Sequence, residues 1–374
     1  MKVLVLFGGV STEHLVSCRS ARNVIAGLRE AGHEPIAVGI TESGEWLRFL
    51  APDEDIVAPD WDQRARAALA VAAPAPLPPL SGNSVRDFVV QLAGAEPDLV
   101  FPIVHGINGE DGTLQGLLQL ADLPYVGSGV LASAAAMDKL TTKRLAEAAG
   151  IQTARYAVVL RGELEEEGAE QIAGRLVAEL GLPLFVKPSN GGSSVGTMGA
   201  ATEAELARAL DFAAGYDRTV LVEEHIDGRE IEVAILGNGP WQAARAGEIR
   251  LNEEVAYYDY EAKYFSSSAV AEAVVPTDLE PETEAEIRRL AVETCRCLGI
   301  AGLSRVDFFL EHGSGRILLN EVNNLPGFTA ISLYPMAFAE AGLPLAALCD
   351  RLCELALADY HGRRRHSLHQ RTVE

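Results

Sequence analysis

The sequence predicts an α/β protein of about two or three domains that opens on a doubly wound sheet and ends in an acid-lined hairpin. Three observations carry this. The 374 residues are 48% hydrophobic and 22% charged, an ordinary globular composition with enough chain for about two or three separate cores. Lys2 to Phe7 is a continuous apolar run of the kind buried parallel strands show. Ser304 to Leu333 reads as two apolar arms around a Gly-Ser-Gly turn, interrupted by acids where an interior should be apolar.

Charge and cysteine content exclude several classes of function. The formal net charge of −22 argues against a nucleic-acid partner, which needs clustered cations. The five cysteines, Cys18, Cys295, Cys297, Cys349 and Cys353, form no Cys-x-x-Cys pair and fit free thiols in a reducing compartment. Cys349 and Cys353 share a helix face by their spacing. No apolar run approaches the ~18 residues of a membrane span. The expectation is a soluble, cytoplasmic protein without a membrane partner.

Taken in order, Gly8-Gly9-Val10-Ser11 turns the first strand into a helix, with Ser11 expected as its N-cap and Glu13-His14 in its first turn. Gly32 closes that helix, and Ile36 to Ile40 is the next strand. This β-α-β opening places ligands at strand C-termini, although Gly-x-Gly-x-x-Gly is missing. Glu13 alone would serve equally as a first-turn acid favouring the helix dipole. Ala68 to Leu80, with four prolines, reads as a surface loop. Asp98 to Val104 is a further buried strand, ending in the polar, Gly-rich loop His105 to Gly112, and Tyr125 to Gly129 closes the first domain. One helix is expected to carry Met137-Asp138-Lys139 and Lys143-Arg144 and to end at Gly150.

Leu184 to Pro188 is a strand with Lys187 near its end, and the Gly/Ser loop Ser189 to Gly196 follows. Such a loop can lie over phosphates and offer backbone N–H groups, with Lys139 and Lys187 as countercharges. It is not a P-loop, since Gly-Lys-Ser/Thr is missing. Thr219 to Glu223 and Gly228 to Leu236 are strands, and the alternating acids of the second could hold a ribose by its hydroxyls. Tyr257 to Tyr264 is too aromatic and polar for a strand and reads as a loop folding over something. Glu280 to Leu298 is an amphipathic helix, Ala337 to Ala358 is helical, and Arg363 to Glu374 is expected as a disordered basic tail.

In the hairpin, Glu321 and Asn323 share a strand face. Asp307 can oppose them if the turn has an odd residue count or a bulge absorbs one residue. Two carboxylates and an amide oxygen on one face suit Mg²⁺, which usually shares its shell with nucleotide phosphates.

Together these segments resemble the D-alanine–D-alanine ligases of the ATP-grasp superfamily, from Lys2 to about Leu345. The carriers are Gly8-Gly9-x-Ser11-x-Glu13-His14, His105-Gly106-x-x-Gly109-Glu110-Asp111-Gly112, Met137-Asp138-Lys139, Val186-Lys187-Pro188, Gly192-Ser193-Ser194-Val195-Gly196, Gly228-Arg229-Glu230, Tyr258 to Tyr264, Arg305-x-Asp307, and Asn320-Glu321-Val322-Asn323 with Pro326-Gly327-Phe328-Thr329. The resemblance implies a Rossmann-like N-terminal domain (1–129), a central ATP-grasp lobe (130–223), a C-terminal lobe with catalytic loop and metal site (224–360), and the tail (361–374). The implied reaction activates a first D-alanine carboxylate as an acyl phosphate, which the amine of a second D-alanine attacks. By matched position, Lys139 and Lys187 bind phosphates, Glu223, Glu224, Ile226 and Glu230 surround adenine and ribose, and Asp307, Glu321 and Asn323 hold two Mg²⁺ ions, with Mn²⁺ able to substitute. Glu13 holds the first ammonium and forms a hydrogen-bonded set with Ser193 and Tyr264. Arg305 and the Gly327 N–H stabilise the oxyanion, Lys263, Ser332 and Leu333 bind the second carboxylate, and His105 lines the first subsite. A homodimer is also implied.

One departure is visible: Asn324 stands where the family commonly has Thr. The alternatives are a ligase for another acceptor, such as D-lactate, D-serine or another amino acid in a specialised pathway, and a non-catalytic nucleotide-binding protein that kept the fold. The loop Tyr258-Asp259-Tyr260-Glu261-Ala262-Lys263-Tyr264 speaks against the first and the intact charged set against the second.

Overall fold

The computed structural model describes residues 1–72, 78–251 and 271–364. The expected covering loop Tyr257 to Tyr264, including Lys263 and Tyr264, lies outside them.

The chain opens with β1 (Lys2–Gly8), α1 (His14–Glu30), β2 (Glu34–Ile40) and β3 (Trp46–Phe49), then α2 (Trp61–Val71), α3 (Ser84–Ala93), β4 (Leu99–Pro102) and α4 (Thr113–Leu120). β1 pairs in parallel with β2 and β4, and β3 closes the far edge antiparallel. Strand alternation explains the apolar run. Val3, Val5 and Phe7 pack with α1 on one face, and Leu4 and Leu6 pack with Val89 of α3 and Leu114 of α4 on the other. A strand covered on both faces must be apolar throughout, so the doubly wound opening is borne out.

Then come α5 (Val130–Met137), α6 (Lys139–Ala148), β5 (Tyr156–Leu160), α7 (Arg161–Glu167), α8 (Ala169–Leu180), β6 (Leu184–Pro188), β7 (Met198–Ala200), α9 (Glu203–Ala214) and β8 (Thr219–Glu224). The strands form an antiparallel sheet in the order β5-β8-β6-β7, backed by α8 and α9 with its own core. The third sheet takes β9 (Gly228–Leu236), β10 (Gln242–Ala243), β11 (Gly247–Leu251), β12 (Ala271–Val274), β13 (Leu303–Glu311) and β14 (Ile317–Asn323). α10 (Pro281–Leu298) covers one face of it, and α11 (Leu333–Glu340) and α12 (Leu345–Arg364) end the described chain.

In this third sheet, Ile231, Val233 and Ile235 of β9 and Val306 and Phe308 of β13 pack against α5, α6 and α10. The opposite face carries Glu230, Glu232, Ala234 and Leu236 on β9, and Leu303, Arg305, Asp307 and Phe309 on β13, in register. One end of this face, at Ala234, Leu236 and Leu303, is continuous with the core of the first sheet. The other end is polar, and that gradient positions the site.

Several expectations need correction. Met137 to Gly150 is two helices: Asp138 is extended (ψ 106°) and caps α6, its Oδ1 accepting the Thr141 N–H at 2.7 Å. Ser11 is not the N-cap of α1. Glu13 holds that position, and the Ser11 hydroxyl instead accepts the Glu13 N–H and donates to the His105 carbonyl. Ala68 to Val71 belongs to α2, alanine being a strong helix former. The C-terminal helical stretch is broken at Gly342 (φ 84°) and Pro344 into α11 and α12. Arg363 lies in α12, where its guanidinium sits over the Tyr125 ring at 5.0 Å and pairs with Asp359.

Candidate active site

The antiparallel sheet of β5–β8 and the sheet of β9–β14 enclose a cavity of about 570 Å³. Its phosphate-binding candidates arrive from separate elements. Lys139, the first residue of α6, donates through Nζ to the Gly191 carbonyl (2.6 Å) and lies 3.7 Å from Glu321 Oε2. Lys187, on β6, lies 2.8 Å from Glu223 Oε2 and donates to Asn320 Oδ1 at 3.3 Å. Glu223, Glu224, Ile226 and Glu230 line the same cavity. Phe185 supplies an apolar wall and stacks on His225. The six nucleotide-binding residues expected from the sequence therefore converge on one cleft.

The hairpin β13–β14 has the register the acids require. Asp307 pairs with Glu321 and Arg305 with Asn323, and the register shifts between Asp307 and Phe308. The extra residue is Asn320, so a bulge turns Glu321 and Asn323 onto the face of Asp307. Asp307 is 1% exposed. Its carboxylate accepts from Arg305 Nε (2.8 Å) and Nη2 (2.6 Å) and from Asn323 Nδ2 (2.9 Å). Arg305 Nε also lies 3.0 Å from Glu232 Oε2. Among the described residues no group of three or more His, Cys, Asp or Glu side chains could hold a metal by itself. The donors present are two carboxylates and an amide, all hard oxygens, beside Lys139 and Lys187. That set fits Mg²⁺, which takes one or two carboxylates and completes its shell with phosphates and water.

The third group lies where α1, the loop after β4 and the loop after β6 meet. Ser193 Oγ donates to Glu13 Oε1 at 2.5 Å, joining residues 180 positions apart. A Cβ on Gly106 or Gly192 would stand 2.7 or 2.8 Å from Glu13 Oε2, so both glycines make room for this buried carboxylate. Ser193 and Ser194 have φ of 51° and 57°, a left-handed turn that aims the loop at α1. His105 Nδ1 donates to the Leu325 carbonyl (3.1 Å), and Nε2 lies 3.2 Å from Ser20 Oγ. Burial opposes charge on His105, but the Glu110 carboxylate beside it, with Glu13 farther off, outweighs burial and raises its pKa.

The loop after β14 is fixed from the first sheet's side. Phe328 N–H donates to Ser20 Oγ, and Asn324 Nδ2 donates to the Glu110 carbonyl at 2.9 Å. Ser332 precedes α11, its hydroxyl accepting the Thr329 N–H, and a Cβ on Gly327 would stand 2.9 Å from it. Leu333 is buried in the core, so only its backbone N–H, in the first turn of α11, is suited to a carboxylate.

Sequence reasoning missed several contributors. Glu232 shares Arg305, and its signal was its in-register position opposite Asp307. Lys143 packs 3.0 Å from Glu223, and four residues after Lys139 it falls on the same helix face. Glu248 accepts from Arg229, Arg250 and Thr277 beside the cavity; Arg250 shares its strand face two residues on, whereas Arg229 and Thr277 have no local signal.

Profiles described as the D-ala D-ala ligase N-terminus and C-terminus match residues 2–128 and 145–354. The chain belongs to the D-alanine–D-alanine ligase family. It is 43% identical over 378 residues to the D-alanine–D-alanine ligase of Ruminiclostridium cellulolyticum, covering 97% of each chain. It is 41% identical over 363 residues to that of Proteus mirabilis, covering 96% of this chain and 95% of the relative. Among solved structures, the D-alanine–D-alanine ligase from Coxiella burnetii superposes with a TM-score of 0.81 at 32% identity, over 98% of this chain and 96% of that one. The VanG D-Ala:D-Ser ligase from Enterococcus faecalis gives 0.80 at 36%, over 95% and 99%. The expected fold, an N-terminal Rossmann-like domain followed by an ATP-grasp fold, and membership of this ligase family are thus both borne out. No helix among the described residues is long and apolar enough to cross a membrane.

Proposed function

We propose that this chain joins two D-alanines into D-alanyl-D-alanine, cleaving ATP to ADP and phosphate. The observation that carries this reading is the meeting of three groups at one cleft: the cavity with Lys139 and Lys187, the Asp307–Glu321–Asn323 face, and the Ser193–Glu13 bond. Glu13 is an anion placed to hold an ammonium. The carboxylate of that first D-alanine attacks the γ-phosphorus, the bond to ADP breaks, and an acyl phosphate forms. The free amine of the second D-alanine attacks the acyl carbon, phosphate leaves from the tetrahedral intermediate, and the amine proton is lost. Lys139 and Lys187 neutralise phosphate oxygens, and the Gly327 N–H and Arg305 face the developing oxyanion, a contribution of about 3–4 kcal/mol per donor in acyl transfer. Asp307, Glu321 and Asn323 would hold two Mg²⁺ ions, or Mn²⁺ in their place, supplying charge neutralisation of the phosphates. His105 sets the first subsite, and Ser332 with the backbone of Leu333 receives the second carboxylate. Lys263 and Tyr264 belong to the same proposal on sequence grounds.

The proposal extends to peptidoglycan precursor synthesis, and so to cell-wall biogenesis and cell shape, in the cytoplasm, by a homodimer. The division at residues 129 and 223 is supported by sheet membership, although α5 and α6 bury their apolar faces against the third sheet. D-serine as second substrate is the alternative reading, which the D-Ala:D-Ser ligase neighbour supports. Phosphate release measured against a panel of D- and L-amino acids and D-lactate, with products identified by mass, tests both. Release with D-alanine alone and a D-alanyl-D-alanine product is expected; release only with a second, different acceptor would replace the first reading by the second.

A further inference from the structure

Lys143 is a buried cation with no part in the chemistry above. It projects from α6 behind β8, 1% exposed, with its Nζ 3.0 Å from Glu223 Oε1 and 5.2 Å from the Tyr156 ring centre. The contact is an ion pair at close range, and among the described residues neither atom has another partner at hydrogen-bond geometry. The other oxygen of Glu223 faces Lys187 at 2.8 Å. Glu223 opposes Phe185 across the β6–β8 ladder, so Lys187, two residues on, is its diagonal neighbour on the same face. Lys187 and Glu223 line the nucleotide cavity, whereas Lys143 does not.

Two ammonium groups therefore share one carboxylate, and only one of them can reach a ligand. A phosphate entering the cavity competes with Glu223 for Lys187. Glu223, 4% exposed, has little water to turn to, and a buried charge left without a partner is strongly unfavourable. We propose that Lys143 is a positioning residue, the fixed counter-ion that holds Glu223 when Lys187 moves to the nucleotide phosphates. Burial opposes the charge on Glu223, and Lys187 and Lys143 together outweigh it and hold its pKa below the ordinary carboxylate value, in keeping with a carboxylate served by two cations. The inference rests on the reading of Lys187 as a phosphate ligand.

The test compares K143M, K143Q and K143R with K187M, using calorimetric ADP binding and steady-state kinetics. K143M and K143Q should weaken ADP binding about tenfold or more and raise KM for ATP in parallel. Their kcat at saturating ATP and KM for D-alanine should stay within about twofold of wild type. K143R, which keeps the charge, should bind ADP within about threefold of wild type. Wild-type ADP affinity in the neutral variants, or an equal loss in K143R, would overturn the proposal. Neutral variants that fail to fold beside a folded K143R would make Lys143 a structural cation and overturn it as well. K187M separates the two readings. Unchanged ADP binding there would remove the phosphate assignment itself, whereas a weak K187M beside a normal K143M would remove only the role of Lys143.

Discussion

Replacing Ser193 by alanine isolates the contact that ties the loop after β6 to α1. The Ser193 hydroxyl donates to Glu13 Oε1 at 2.5 Å, and a hydrogen bond to a charged group is worth about 1.5–3 kcal/mol. If the contact is made in the reacting complex, S193A should lower kcat/KM for D-alanine about ten- to a hundredfold, at 1.4 kcal/mol per decade. The loss should fall chiefly on D-alanine, because the proposed reading gives Glu13 the D-alanine ammonium and Glu13 itself does not line the nucleotide cavity. A glycine at the same position separates hydroxyl from backbone. Ser193 sits at φ 51°, where a side chain costs about 1 kcal/mol that glycine does not incur. S193G should therefore lose activity like S193A while unfolding at a higher temperature than S193A. The assay is coupled phosphate release with D-alanine varied at saturating ATP, beside thermal unfolding. A wild-type kcat/KM in S193A would refute the reasoning.

Three further outcomes follow from the site. E321Q should require more Mg²⁺ for half-maximal phosphate release while its unfolding midpoint in EDTA stays near that of wild type; an unaltered Mg²⁺ titration would remove Glu321 from the metal set. Burial opposes ionisation of Glu248, but hydrogen bonds from Arg229, Thr277 and Arg250 outweigh it and lower its pKa from 4.5 to about 2. A depressed carboxylate stabilises the fold above its unfolded value and loses that contribution as pH falls through the folded one. The stability gap between wild type and E248Q in urea should thus be widest above pH 4.5 and close towards pH 2, and a gap independent of pH would refute the pairing. With D-alanine and D-lactate in competition, dipeptide should dominate at neutral pH and rise from about pH 6 to 8 as the α-amino group, with a pKa near 8, is freed; a mainly depsipeptide product would refute the acceptor assignment.

Periodicity made the frame of the fold legible. The run Lys2 to Phe7 had to be covered on both faces, and the alternation along β9 and β13 separated an apolar face from a charged one before any contact was known. The pairing of Asp307 with Glu321 was legible only as a condition, because a bulge at Asn320 is decided by side-chain packing and not by residue type. Asp138 illustrates a competition that propensity alone does not resolve. Its neighbours favour one long helix, yet its carboxylate also accepts from Ser189 and Asn190, so the break in the helix is fixed by a loop 51 residues away. Lys143 left only its spacing from Lys139 and Glu248 only Arg250 on its strand face, because their other partners arrive through tertiary packing.

Charge explains why the two sides of the cleft need a cation between them. Among the described residues of the β9–β13–β14 face, Glu232 and Asp307 both face the Arg305 guanidinium, and Glu321 lies 3.7 Å from Lys139. Across the cavity, Lys143 and Lys187 share the single carboxylate of Glu223. Carboxylates Asp307 and Glu321 thus stand on one wall and the lysine pair on the other. A triphosphate drawn to the lysines alone would set its far oxygens against Asp307 and Glu321, and the chain as a whole, at −22, repels a polyanion at longer range. A divalent cation between phosphate and carboxylates removes both penalties. On the proposed reading the acids belong to a site that the incoming nucleotide completes, as expected where Mg²⁺ is held by one or two carboxylates together with substrate phosphates.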